Sequence, residues 1–204
     1  MVAEIRIYVE GGGDGGDSKA KVRKGFSEFL RDLVEIAREK RIGWNVIACG
    51  SRNSTVDSFR TALRTHPGAF NVLLVDAEDS VSLSVRDHLH NRDNWDLTAA
   101  SDEQCHLMAQ VVEAWLIADL ETLEKYYGQG FQSNSIPKTK SVEDVSKQRL
   151  YSSLSAATRL TKKGEYHKIR HGPEILAKVD SSKARGRARH CERFFATLEE
   201  KMST

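Results

Sequence analysis

Ile5-Arg6-Ile7-Tyr8-Val9 runs directly into Glu10-Gly11-Gly12-Gly13-Asp14. The apolar run is short, rich in β-branched side chains and stopped by charge and glycine, which predicts a buried strand. Val72-Leu73-Leu74-Val75 running into Asp76-Ala77-Glu78-Asp79 repeats the pattern. Trp44 to Cys49, ended by Gly50, and Cys105 to Val111 are two further strand candidates. Between them lie helical stretches. Phe26, Phe29, Leu30, Leu33 and Val34 keep the helical period across 18–41, a second helix starts at Ser54 or Thr55 and ends before Pro67, and 80–89 and 112–127 complete the set. Strands alternating with helices predict an α/β fold with a small parallel sheet and right-handed crossovers.

The segment 128–140, with Gly128, Gly130, Pro137 and scattered serines, reads as a linker. The expected organisation is therefore an α/β core over 1–127, the linker, and a basic helical C-terminal part over 141–204, with helices near 142–160, 172–179 and 182–201. At 204 residues and 39% apolar content the chain suits one domain with an appendage. No apolar run is long enough to span a bilayer, and the N-terminus enters a strand without a basic leader. Cys49, Cys105 and Cys191 are odd in number and far apart, which fits reduced thiols and a cytoplasmic location. Cys105-His106 and His190-Cys191 lack zinc-site spacing.

The net charge of +2 hides an asymmetry. Residues 1–137 carry 15 Lys/Arg against 21 Asp/Glu, whereas 138–193 carry 15 against 6. A basic segment attached to an acidic one points to a polyanion for the first and cations for the second. The plainer alternative is that these lysines and arginines solvate C-terminal helices.

Carboxylates at the C-terminal ends of parallel strands lie where open α/β sheets place their ligands. Glu10 and Asp76 would meet there, with Glu78 two residues beyond Asp76 on an extended tip and Asp14 and Asp79 nearby. Such a set suits a hard divalent cation, Mg²⁺ or Mn²⁺, that keeps open positions for phosphate oxygens. Asp14, Asp17 and Asp79 equally suit helix capping. Glu113, just after the fourth strand, approaches the same site from a third side, while Asp119 is left to the surface or to capping.

The glycine loop also matches Gly11-x-Gly13-x-x-Gly16, a dinucleotide fingerprint between strand and helix. Glu10 and Asp14 stand where pyrophosphate would approach, however, and the second strand ends in Gly50-Ser51-Arg52 without a ribose-binding acid. The phosphate-loop pattern fails too, since Asp17 occupies the place of its lysine.

Val9-Glu10-Gly11-Gly12-Gly13-Asp14 and Leu74-Val75-Asp76-Ala77-Glu78-Asp79 resemble the two acidic motifs of the Toprim domain of topoisomerases, bacterial primases and overcoming-lysogeny-defect nucleases. The resemblance implies a small parallel α/β sheet binding magnesium through those acids. Two departures stand out: Glu78 replaces the second aspartate of the late motif, leaving Glu78 or Asp79 as the ligand, and the usual following glycine is missing. More closely, the layout is similar to an uncharacterised bacterial family with a Toprim-like core. The matching segments are Glu113-Ala114-Trp115-Leu116-Ile117-Ala118-Asp119, Lys163-Gly164-Glu165-Tyr166-His167-Lys168 and His171-Gly172-Pro173. Genes of that family often neighbour ATPase genes in mobile or antiphage loci, which implies an ATPase partner.

The function expected is Mg²⁺- or Mn²⁺-dependent phosphodiester cleavage of nucleic acid, as a nuclease of a defence or mobile-element module. Glu10, Asp76, Lys163 and Lys168 are the expected catalytic residues. Glu10, Asp14, Asp76, Glu78, Asp79 and Glu113 are the candidate metal ligands. Arg52, Lys163, Lys168, Arg170, His171, Lys183 and Arg187 are the candidate nucleic-acid contacts. Two alternatives remain: a non-catalytic Toprim-like subunit that binds an ATPase partner or ligand, and a small-molecule phosphotransferase supported only by the glycine loop.

Overall fold

The computed structural model describes residues 2–13 and 15–203. Asp14, one of the expected ligands, lies outside the described residues. Four strands, β1 (Glu4–Glu10), β2 (Gly43–Gly50), β3 (Phe70–Asp76) and β4 (Cys105–Met108), form one all-parallel sheet in the order β2-β1-β3-β4. This is the α/β architecture that the alternating pattern requires. β1 and β3 are central neighbours, and Val9 stands opposite Leu74. Their C-terminal tips therefore reach the same edge.

Side chains alternate across the sheet as the strand period demands. Ile5, Ile7, Val9, Val72 and Leu74 face one core, and Tyr8, Leu73 and Val75 face the other. The second face is covered by α3 (Arg52–Thr65) and α4 (Val85–Asp93), through Val56, Phe59 and Leu89. The first is covered by α1 (Gly16–Phe29) and α2 (Arg31–Glu39), together with elements that follow β4. These are α5 (Glu113–Ala118), α6 (Leu120–Tyr127), α7 (Lys147–Thr158), α8 (Lys168–Leu176), α9 (Ser181–Arg187) and α10 (Arg189–Ser203). Trp115, Leu154, Ile175, Phe194 and Phe195 belong to the same core as Ile5 and Val9, so the C-terminal helices and the sheet share one apolar interior.

Several boundaries depart from expectation. The helix anticipated over 18–41 is two helices that step at fully buried Leu30, and neither glycine nor proline marks the step. Tertiary packing makes it: each half turns its apolar stripe onto the core. The helix anticipated over 112–127 breaks at Asp119, whose side chain accepts from the Thr122 amide to start α6. Asp119 is buried, not a surface residue. β4 stops at Met108 and does not run to Val111; the chain beyond it gives the Met108 and Gln110 carbonyls to the amides of Ala77 and Glu78. The helix expected at 80–89 begins at Val85, capped by Ser84, so Asp79 caps nothing. The last helix splits at Ala188.

The glycine loop is fastened to the end of β2, with Gly11 and Gly50 exchanging both backbone hydrogen bonds (2.9 and 3.1 Å). Gly50 has φ +92°, and a Cβ there would lie 2.5 Å from the Gly13 carbonyl oxygen. Gly50→Ala is therefore expected to cost about 1–3 kcal/mol in denaturant unfolding. Gly68→Ala, where nothing lies within 4 Å of the added Cβ, should stay within about 0.5 kcal/mol.

The three cysteines are buried and none forms a disulfide. Among the described residues, no helix is long and apolar enough to cross a membrane.

Candidate metal centre

Parallel pairing of β1 with β3 delivers Glu10 and Asp76 to one edge, where the Asp76 amide donates to Glu10 Oε2 (3.3 Å). Glu78 joins them by a route that extended-strand geometry does not supply. It adopts a left-handed conformation (φ +70°), uncommon for a residue with a side chain, with its amide donating to the Gln110 carbonyl (2.7 Å). One carboxylate oxygen from each of Glu10, Asp76 and Glu78 then lies within 4.8 Å of the others. Asp79 is exposed and outside this group, so of the two readings of the late acidic motif, the geometry brings in Glu78.

Each carboxylate has a resident cation. Arg52, in the first turn of α3, donates to Glu10 Oε2 (3.1 Å) and to the Asp76 carbonyl, and grips Asp93 with a second pair of hydrogen bonds (3.0 and 2.7 Å). Its guanidinium also lies over the Trp95 ring. That makes Arg52 a support for Glu10; its donors are already committed inside the molecule. Lys147 donates to Glu78, with Arg92 3.9 Å away. Asp76 is fully engaged: Oδ1 accepts from the Val112 amide (2.8 Å) and Oδ2 from Lys168 Nζ (2.9 Å).

Lys168 Nζ also lies 3.9 Å from Glu113 Oε2 and so stands between two buried acids. Glu113, the first residue of α5, is fully buried; its Oε1 accepts from the Tyr166 hydroxyl (2.8 Å), and its Oε2 has no hydrogen-bond partner. Glu113 thus reaches the centre through Lys168 and is not one of the three grouped oxygens.

Charge crowding shows in the protonation equilibria. Burial first, then the Asp76 carboxylate, pushes the Glu10 carboxyl up to about 7, against the pull of Arg52 and Lys168. Burial likewise raises Glu113. Burial is also the largest single influence on Glu78 and pushes it up, but the Lys147 hydrogen bond and the charges of Lys147, Arg92 and Lys168 together outweigh it and hold that carboxyl low. For Lys168, burial disfavours the charge and is overridden by Asp76 and Glu113, which raise its pKa. A carboxyl whose pKa is higher folded than unfolded binds more protons in the native state, so stability falls as pH rises between the two values. With a chelator present, the contribution of Glu10 to stability, read in denaturant melts as the difference between the parent and Glu10→Gln, is expected to fall as pH rises from about 4.3, the unfolded glutamate value, to about 7. A difference between the two proteins that does not change over that range would contradict the raised carboxyl.

Three oxygen donors this close suit a hard cation that dehydrates reluctantly, Mg²⁺ or Mn²⁺, better than a softer metal. The buried Glu113 Oε2, which has the Lys168 ammonium 3.9 Å away but accepts no hydrogen bond, lies next to the same place. A dication taking all three oxygens would have to displace Lys147 from Glu78.

Other expected contacts are placed elsewhere. Lys163 packs its ammonium over the Tyr126 ring (4.6 Å), and Arg170 is exposed one residue beyond Ile169. His171 is buried in an aromatic cluster, 3.0 Å from the Tyr127 hydroxyl, and burial lowers its pKa, which keeps it neutral and removes it from phosphate binding. Lys183 is tied to Asp119 (2.7 Å) and Glu121 (3.1 Å). Arg187 donates to the Ala118 and Thr139 carbonyls (3.0 and 2.7 Å). Both are internal fastenings in this arrangement. Lys147, Arg92 and Gln110 carried no motif and emerge only in three dimensions; Tyr166 sat inside a quoted segment without an assigned role.

A family model described as "Domain of unknown function (DUF4276)" matches residues 9–199, a stretch that spans the acid centre and reaches into α10. No curated protein and no solved structure matches the chain.

Proposed function

The chain belongs to the DUF4276 family, and from the chemistry of its acid centre we propose that it is a Mg²⁺- or Mn²⁺-dependent phosphodiesterase acting on nucleic acid, with a Toprim-like arrangement of acids. The observation that carries this reading is the convergence of Glu10, Asp76 and Glu78 at the C-terminal edge of a parallel sheet, beside a buried Glu113 oxygen that accepts no hydrogen bond. A divalent ion bound there would polarise a phosphoryl oxygen and favour ionisation of a bound water.

The chain's own groups supply the rest. Arg52 fixes the Glu10 carboxylate, and the Val112 amide fixes that of Asp76, so these two acids are held in position, and the Lys147 contact on Glu78 is what must give way. Lys168, with 42% of its side chain exposed, reaches solvent at the centre and is placed to neutralise a phosphate. Exposed Lys163 and Arg170 lie in the neighbouring segment and extend positive charge for a backbone. A defence or mobile-element setting, with an ATPase partner, belongs to the same proposal and rests on the resemblance alone.

A second reading has its own observation. Arg52, Lys147 and Lys168 already neutralise all three grouped carboxylates, as expected of a Toprim-like subunit whose acids have become structural ion pairs. Incubation of the purified protein with Mn²⁺ or Mg²⁺ and plasmid, single-stranded DNA or transfer RNA separates the two. Metal-dependent strand cleavage supports the enzyme. Cleavage of none of them, with the fold intact, supports the subunit.

A further inference from the structure

Beside the acid centre lies a separate cavity of about 230 Å³ whose chemistry is opposite to that of the carboxylates. Glu10 and Lys168, which belong to the acid centre, are among the residues that line it. Its floor is the backbone of Gly11, Gly12 and Gly13, all with positive φ, where no Cβ intervenes. Its walls are apolar: Val22 and Phe26 from α1 face Pro173 and Leu176 from α8. Ile169 also lines the cavity, and it is 46% exposed, one of three large hydrophobic residues so placed among the described residues.

An apolar slot opening onto a charged centre selects a ligand with the same two halves. The volume is below the roughly 300–1,000 Å³ of drug-sized sites, so it admits one ring system. Lys168, which lines the cavity and reaches the acid centre, matches an anion attached to that ring. A nucleotide has this form: a flat, weakly hydrated base joined through one sugar to a phosphate. Few polar groups line the walls, so the base would be held by its faces with little regard to its identity. A base within a duplex is stacked on both sides and cannot enter without being unstacked.

Resting on the phosphodiesterase reading, we propose that this cavity seats the unstacked base of the nucleotide whose phosphate lies at the acid centre, making single-stranded nucleic acid the substrate class. The base would cover the exposed flank of Ile169, and the glycine floor would let it approach the backbone closely.

The test compares a labelled oligothymidine of about ten nucleotides with an abasic backbone of equal length. Binding to the full chain is read by fluorescence anisotropy at one salt concentration, with chelator to prevent cleavage; phosphate contacts are then equal for the two strands. The base-bearing strand should bind about tenfold tighter, the size of one base-stacking contact. Val22→Trp, which fills the cavity, should abolish the difference. Should that variant not fold, Ile169→Ala, at a half-exposed position, should reduce the difference severalfold. Equal affinity for both strands in the unsubstituted protein, alongside Mn²⁺-dependent cleavage, would overturn the base pocket and leave the phosphodiesterase standing. Base-dependent binding without cleavage under any metal would uphold the pocket and overturn the catalytic reading. Binding of neither strand would remove the pocket, and absence of cleavage in the same preparation would remove the enzyme with it.

Discussion

Asp76→Ala is expected to abolish metal-dependent cleavage, with a loss on the order of 100-fold or more. Supporting residues around a metal typically cost about 10–100-fold when removed, and Asp76 is the central carboxylate of the group. It sits between Glu10 and the Glu78 turn, accepts from Val112 and Lys168, and is 3% exposed. Removing it takes away a donor, a charge and the partner of Lys168 together. Glu10→Ala should resemble it. Glu78→Ala should be clearly impaired and Asp79→Ala close to the parent, because only Glu78 reaches the group. Single-turnover cleavage with Mn²⁺, together with a thermal melt of each variant to show that it folds, gives the ranking. Impairment in Asp79→Ala with normal Glu78→Ala would reassign the late acidic motif.

Lys168→Met is expected to have the largest effect on stability of any single surface-reaching charge. Asp76 and Glu113 are almost completely buried, and Lys168 is the cation that both face. Breaking a fully buried pair by removing one partner costs about 3–5 kcal/mol. Lys168 is 42% exposed, so solvent already screens part of the interaction and about 2–3 kcal/mol is the better figure. The sign with pH follows from the raised lysine pKa: its contribution is complete below about 10.4 and is lost as pH rises beyond that value. Removal of the lysine should therefore cost stability at neutral pH, where its contribution is complete. A divalent ion that occupies the centre would replace the missing charge, so Mn²⁺ in excess should restore more stability to Lys168→Met than to the parent protein. Urea unfolding with and without Mn²⁺ measures both quantities. An unchanged midpoint in the variant would show that Asp76 and Glu113 do not depend on this cation.

The sheet edge was readable in advance because its signals are local. An apolar run that ends in Glu-Gly or in Asp-x-Glu marks both a strand and its tip, and two adjacent parallel strands must bring their tips together. The break at Leu30 was not readable, since a buried leucine inside a helical period carries no punctuation and only packing imposes the step. Glu78 joins the group for a reason that sequence spacing does not carry. Extended geometry placed it beside Asp76, whereas a left-handed turn held by the Gln110 carbonyl brings it in. The cations were the least legible part. Lys147 and Lys168 meet their acids across separations of 69 and 92 residues, and nothing in local spacing announces such pairs. The basic C-terminal stretch misled in the same way: a charge count cannot distinguish Lys163 and Arg170, near the surface, from Lys183 and Arg187, which are spent on internal partners. His171 belonged with them on type alone, and burial places it in the aromatic core.

The most direct measurement is an anomalous-scattering experiment on crystals grown with Mn²⁺. A manganese peak bounded by Glu10, Asp76 and Glu78, with oxygens at about 2.0–2.6 Å and Lys147 moved off Glu78, is the result required if these acids form a metal centre. A map with no peak there at saturating Mn²⁺, and with Lys147 and Lys168 still paired to Glu78 and Asp76, would show the acids to be structural ion pairs and would contradict the phosphodiesterase.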